Sequence, residues 1–253
     1  MIILEIKNLS ASYEDGRVLD NVSFTVEQGE VLCIVGESGS GKSTLTRALS
    51  GHEGLIIQGG SIIFEGRNIT CLEEAKRRSL MGSSIGIIPQ NPAASFNPIR
   101  SFDKQFKEMF KSHKTAYDRD MVLRTLEKMG LNDPERILRS RPFEMSGGMN
   151  QRIAISAAMM LFPKLLICDE ITSALDVTTA SLVTDEVIKL CRLNNTSVIM
   201  ITHNLGLAKN VADRIGIMYD GSLIEIGDKN SIIYDSKQEH TQRLINSAPR
   251  LKV

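Results

Sequence analysis

The sequence predicts an α/β fold: a mostly parallel sheet with helices on both faces, interrupted by an inserted helical region. Short β-branched runs alternate with helical patterns along most of the chain. One run, Val31-Leu-Cys-Ile-Val35, is wholly apolar, as a strand buried on both faces should be. From about 92 to 145 the alternation gives way to a charged, mainly helical pattern. At 253 residues the chain suits one large domain, or one domain with a subdomain inserted, and it can bury a sizeable core.

In chain order, Ile2–Ile6, Val22–Val26 and Val31–Val35 read as strands separated by Glu-Asp-Gly and Glu-Gln-Gly turns. A glycine-rich loop follows, then a helix over Ser43–Ser50 ended by Gly51, and strands over Ser61–Phe64 and Ile85–Ile88. Phe102, Phe106 and Phe110, spaced i, i+4, i+8, form one face of a helical stretch running to about Met129. Alternation resumes with a helix over Gly148–Met160, a strand over Lys164–Cys168 and a helix over Val177–Arg192 that gathers Val183, Val187, Leu190 and Cys191 on one face. A strand at Val198–Thr202, a short helix near Leu205–Val211, and strands Ile215–Tyr219 and Leu223–Ile226 joined by Asp220-Gly221 complete the pattern.

Composition narrows the function. Thirty basic residues balance thirty acidic ones, which gives no support for a nucleic-acid-binding stripe or a polybasic membrane anchor. Cys33, Cys71, Cys168 and Cys191 stand apart, suggesting neither a zinc site nor a disulfide framework, and reduced thiols in the cytosol are expected. The four histidines form no metal-ligand pattern. The start carries no signal-peptide features, and no apolar stretch is long enough to span a bilayer; a role at a membrane would need another chain to do the spanning.

Gly36-Glu-Ser-Gly-Ser-Gly41-Lys42-Ser43 matches G-x-x-x-x-G-K-[ST], between a buried strand and a helix. Gly36, Gly39 and Gly41 let the backbone approach an anion. The N–H groups around Ser38, Ser40 and Thr44, with the helix N-terminus, are expected to surround the phosphates of ATP. Lys42 adds positive charge, and the Ser43 hydroxyl is a ligand for Mg²⁺. A glycine-rich turn with a helix N-cap is the plainer alternative. A second element, Leu165-Leu-Ile-Cys168 followed by Asp169-Glu170, is a buried strand ending in two acids. Asp169 is placed to hold Mg²⁺ through its waters and Glu170 to polarise an attacking water; a solvated acidic turn is the alternative. No Asn-Lys-x-Asp or Thr-Lys-x-Asp guanine motif occurs, and Asp213-Arg-Ile-Gly216 fits D-x-x-G only by coincidence.

Met145-Ser146-Gly147-Gly148-Met149-Asn150-Gln151-Arg152 resembles the signature sequence of ATP-binding-cassette (ABC) ATPases. Ser146 and two glycines opening a helix make a second anion-binding N-terminus, which one nucleotide cannot easily share with the first. The resemblance covers nearly the whole chain. It implies a P-loop NTPase cassette over residues 1–253, with a RecA-like mixed sheet core, an N-terminal antiparallel β part and an inserted α-helical subdomain at about 92–145. It implies a head-to-tail dimer, in which Ser146, Gly147 and Gly148 of one subunit cap the γ-phosphate of ATP held by the other. Tyr13 would stack on adenine, or serve as a strand aromatic in the core. Gln90, ending Ile85-Gly-Ile-Ile-Pro-Gln, would contact the metal. His203 would contact the γ-phosphate. Ser173-Ala-Leu-Asp176 would cross the dimer interface, with Asp176 also available as a helix N-cap. Two departures stand out: Ile171 where the family commonly has proline, and Met145 and Met149 where leucine and glutamine are commoner. Proline would stiffen the turn beside Glu170.

Gln90-Asn-Pro92-Ala-Ala-Ser-Phe-Asn97-Pro98, Ser-Gly-Gly-Met, Leu175-Asp-Val-Thr, His203-Asn-Leu-Gly and Met218-Tyr-Asp-Gly resemble the peptide and nickel uptake branch. So does the tail from His240 to Pro249, in shortened form without clustered cysteines, as in ATPases of nickel and metal-chelate importers. The implied function is an ATP-hydrolysing subunit energising uptake of nickel, a metal chelate or an oligopeptide. An exporter ATPase and a soluble non-transport ATPase are the alternatives. The implied partners are a second cassette, identical or related, two membrane-spanning permease subunits and an extracellular or periplasmic substrate-binding protein, with no nucleic acid. The expected location is peripheral, on the cytoplasmic face of the membrane.

Overall fold

The structure, a computed structural model, describes residues 1–14, 16–52, 54–172 and 177–247. The segment Ser173–Asp176 and the tail beyond Ser247 lie outside the described residues.

The chain opens on a long antiparallel pair, β1 (Ile2–Tyr13) and β2 (Gly16–Glu27). Both strands outrun the short β-branched runs, because Asn8 and Asn21, turn formers by propensity, are absorbed at irregular positions with φ of 48° and 51°. Each backbone N–H that leaves the ladder there finds a hydroxyl: Asn8 donates to Ser23 Oγ at 2.8 Å and Asn21 to Ser10 Oγ at 3.0 Å. Next come β3 (Val31–Val35), α1 (Lys42–Ser50), β4 (Ile56–Phe64), β5 (Arg67–Asn68), α2 (Glu74–Leu80) and β6 (Ile85–Ile88). The helical stretch holds α3 (Phe102–Ser112), α4 (Arg119–Lys128) and α5 (Pro134–Arg139). The helical stretch expected to about Met129 is two helices: Lys114 takes φ 55° between them, and Asp118 caps α4 by accepting from the Met121 N–H. Then follow α6 (Gly147–Met159), β7 (Leu165–Asp169), α7 (Val177–Leu193), β8 (Ser197–Thr202), α8 (Leu205–Val211), β9 (Arg214–Tyr219), β10 (Ser222–Asp228), α9 (Lys229–Asp235) and α10 (Glu239–Ser247).

Two sheets result. One is antiparallel, in the order β2-β1-β4-β5; the other runs β10-β9-β3-β8-β7-β6, parallel except for the edge strand β10. Alternation along β3 explains the layering. Val31, Cys33 and Val35 face the core shared with α3 to α8, whereas Leu32 and Ile34 face the core shared with α1 and the antiparallel sheet. One face of the parallel sheet is thus covered by helices, as expected, and the other by α1 and the second sheet, with Leu80 of α2 packed against them. Burial pushes the Cys33 thiol up to about 12, so it is an inert core residue.

In the larger parallel sheet β3, β8, β7 and β6 are neighbours and point the same way. Val35, Thr202, Asp169 and Ile88 therefore all end at one edge, and the loops leaving those ends share one crevice. The segment beyond β6 is fixed by aromatic packing: Phe96 meets Phe102 edge-on with centroids 5.1 Å apart, and Phe106 lies 6.4 Å from Phe96. Phe106 is fully buried, so Phe106→Ala is expected to lower stability by about 3–5 kcal/mol. A urea unfolding midpoint unchanged from wild type would refute this packing.

Candidate nucleotide site

The loop between β3 and α1 is shaped by what surrounds it. A Cβ at Gly36 would lie 2.3 Å from the Met218 carbonyl oxygen and 2.7 Å from Ser40 Oγ. Gly41, at φ 98°, caps α1 in the left-handed region, and a Cβ there would lie 2.8 Å from Met218 Cε. The β9–β10 turn grips the loop further: the Gly221 N–H donates to the Ser40 carbonyl at 3.1 Å, and the Asp20 N–H to the Gly221 carbonyl at 2.9 Å. No side chain caps the N-terminus of α1, whose first turn carries no acid, so its amide N–H groups stay available to an anion. Lys42 is buried, and its ammonium donates to the carbonyls of Gly36 at 2.9 Å and Glu37 at 2.6 Å and lies 3.3 Å from Ser40 Oγ. Burial lowers the Lys42 pKa, while the charges of Glu170, Asp169 and Glu37 oppose that shift.

Asp169 ends β7, and Glu170 follows with φ 47°, a left-handed conformation unusual for a glutamate. The Glu170 N–H donates to the Ile201 carbonyl at 2.9 Å, which ties the turn to β8. Glu170 Oε2 accepts from Gln90 Nε2 at 3.2 Å and lies 3.6 Å from His203 Nδ1. Asp169 Oδ1 is buried without a hydrogen-bond partner. Burial raises the Asp169 pKa, the Glu170 charge raises it further, and the nearby Thr46 hydroxyl, then Lys42 and Arg47, act against both. An orphaned carboxylate oxygen beside a second carboxylate is what a divalent cation would satisfy, so these residues fit Mg²⁺.

Ser38, Gly39, Gly41, Lys42, Ser43, Thr44, Gln90 and Glu170 line one polar cleft of about 320 Å³. Val18 of β2 also lines it, a residue that carried no motif signal in the sequence. His203 joins through Glu170 and Asp169 through its charge on Lys42. Tyr13 stands apart from this lining at the end of β1, where its hydroxyl accepts from Arg47 Nη1 at 2.9 Å. Asp176 lies outside the described residues.

Ser146 caps α6, accepting from the Met149 N–H at 3.3 Å, and does not line the cleft. A Cβ built at Gly147 or Gly148 meets nothing within 4 Å, and neither glycine has positive φ. Neither backbone strain nor packing within the chain asks for glycine there. On the other side of the same turn, Asn150 Nδ2 donates to the Pro142 carbonyl at 2.9 Å and Gln151 Nε2 to the Ile171 carbonyl, a contact the sequence did not signal.

A phosphate-binding loop at the carboxyl edge of this sheet, with two acids at the end of β7 one strand beyond β8, defines a P-loop nucleotide-binding protein. The family model described as ABC transporter matches residues 19–173, more than half of the chain. The oligopeptide transport ATP-binding protein OppD of Bacillus subtilis is 38% identical over 260 residues, covering 99% of this chain and 73% of that one. The dipeptide transport ATP-binding protein DppD of Haemophilus influenzae is 38% identical, covering 98% and 78%. Among solved structures, cbiO1 of Clostridium perfringens, part of the ABC transporter complex cbiONQ, superposes with a TM-score of 0.78 at 25% identity, over 97% of this chain and 94% of that one. The ATP-binding cassette MJ0796, in a dimeric post-hydrolysis state bound to ADP and Pi, shares the fold with a TM-score of 0.78 at 23% identity, over 89% and 98%. The chain belongs to the ABC transporter family, as an ATP-binding cassette.

Asp169 supplies a test that needs no turnover. Its raised pKa means that ionising it opposes folding, a cost absent below the ordinary carboxylate pKa and growing as pH rises through the shifted value. Asp169→Asn is therefore expected to melt higher than wild type at pH 7 without ligand, with the gap closing under acid. Mg²⁺ should raise the melting temperature of wild type only. An equal Mg²⁺ response in both proteins would remove Asp169 from the metal site.

Proposed function

We propose that the chain is the ATP-hydrolysing subunit of an ABC importer for oligopeptides or dipeptides, working as one of a pair of cassettes. One observation carries this: the loop, Gln90 and Glu170 line a single cleft, with His203 3.6 Å from Glu170, while Ser146 is absent from that lining and a Cβ at Gly147 or Gly148 meets nothing within 4 Å. The chain thus supplies the near side of one site and the far side of another. The α1 N–H groups and Lys42 hold the β- and γ-phosphates of ATP. Ser43, Gln90 and Asp169 would hold Mg²⁺, which supplies neutralisation of the phosphoryl charge when bound. Glu170, kept in place by Gln90, orients the attacking water, and His203 reaches the γ-phosphate. A second cassette brings its Ser-Gly-Gly helix start over that phosphate. Tyr13 and the adenine ring meet at the end of β1.

Coupling to transport requires a membrane-spanning partner, since no helix among the described residues is long and apolar enough to cross a bilayer. Directly beyond Gln90 lies an apolar groove of about 550 Å³, between the end of β6, α3 and α6, lined by Ile88, Pro89, Phe96, Phe106, Met109, Ala157 and Leu161. It is larger than the phosphate cleft and suits an apolar helix rather than a nucleotide. In this reading the region at about 92–145 is a helical subdomain that grips a loop of the permease, two permease subunits and an external binding protein complete the importer, and the chain sits on the cytoplasmic face of the membrane. The names of the relatives support peptides over nickel or a metal chelate.

Four outcomes test this. Glu170→Gln should abolish phosphate release while ATP binding persists; release unchanged by that substitution would end the ATPase reading. Gly148→Val should leave monomer stability within about 1 kcal/mol of wild type, because it meets open space, yet block ATP-driven pairing of cassettes. Pairing at wild-type affinity would contradict a split site. In a strain lacking the gene, labelled dipeptide uptake should fall; intact peptide uptake with lost nickel uptake would reassign the substrate. Crosslinks from Ser95 or Met109 should reach the permease, and contacts made only elsewhere would overturn the groove as its dock.

A further inference from the structure

Glu170 sits in a left-handed conformation that only its surroundings can maintain. Its N–H is tied to Ile201 on one side. On the other side the next residue is Ile171, which lacks the ring that would fix φ at this position. Another constraint takes over. The Ile171 side chain is buried, and its carbonyl accepts from Nε2 of Gln151, itself a buried side chain on α6. Gln151 lies in the second turn of the helix that Ser146 caps, and its neighbour Asn150 holds the carbonyls of Pro142 and Met145, in the segment leading into that cap. Adjacent side chains of one helix thus bond the approach to Ser146 and the turn that carries Glu170.

We infer that Gln151 is a positioning residue. It holds the Glu170 turn in register, and it ties that turn to the Ser146 end of α6, so the chain's grip on its neighbour's nucleotide and the aim of its own carboxylate move together. This rests on the reading of Glu170 as the residue that orients water. The coupling is local and mechanical: a shift of α6 along its axis pulls on the Ile171 carbonyl, and the adjoining peptide carries the strained Glu170.

The test uses the cassette in the assembly that turns over ATP. Gln151→Met keeps the volume, removes the donor and leaves the Ile171 carbonyl unpaired. Turnover is expected to fall about tenfold or more, with the KM for ATP within about twofold of wild type, because the geometry of attack is lost and not the phosphate cradle. Melting temperature reports that the variant is folded. Ile171→Pro supplies the missing constraint from the backbone: silent alone, it should restore most of the turnover to Gln151→Met. Gln151→Met within about twofold of wild-type turnover, or a loss explained by KM, overturns the inference. So does a loss that a silent Ile171→Pro fails to relieve, since Gln151 would then be packing and not positioning. A wild-type cassette indifferent to Glu170→Gln would instead defeat the ATPase reading on which the inference stands.

Discussion

The phosphate loop depends on the closeness of two backbones. The Met218 carbonyl on β9 approaches Gly36 so nearly that any side chain there would collide, and the Gly221 turn at the end of the same strand bonds to Ser40. β9 can come this close only because it pairs in parallel with β3, which pairs on its other side with β8. The conformation of the loop therefore follows from the centre of the parallel sheet. With the loop set, α1 begins where its free N–H groups face the cleft, and Lys42 folds back over the carbonyls that precede it. The antiparallel sheet packs behind α1 and holds the helix against the parallel sheet.

The site places charge where charge is costly. Two adjacent acids end a buried strand, one with an oxygen that has no partner, beside a buried lysine whose pKa is itself pulled down by burial. These groups perturb one another in opposite directions, as expected where a protein reserves charge for a ligand. The strain at Glu170 belongs with this arrangement, because a relaxed turn would swing the carboxylate away from Gln90 and His203. β8 holds the Glu170 N–H, and α6 holds the carbonyl of the residue that follows it.

The α6 helix start is the mirror case. Its glycines satisfy no need inside the chain, and the cap leaves the surface around them open. In the proposed reading the reason for glycine there lies in a second cassette.

Much of this was readable without coordinates, and the reasons differ by residue. Gly36 to Ser43 form a contiguous motif whose spacing encodes its own geometry, so nucleotide binding was legible from eight residues. Asp169, Glu170, Gln90 and His203 were legible because each follows a buried apolar run, but their convergence is a property of strand order: β8, β7 and β6 follow β3 in turn across the sheet although they lie far from it in sequence. The boundary between α3 and α4, the lengthened β1 and β2, and the short helices α2, α5, α9 and α10 escaped because local side-chain caps and too few apolar positions mask the periodicity. Sequence alone determined the chemistry, since phosphate, metal and water each demand particular side chains at particular spacings. Tertiary structure decided the near approach of Met218 to Gly36, the bond from Gln151 to Ile171 and the separation of Ser146 from the cleft, because these are distances between segments, and distances between segments are set by packing.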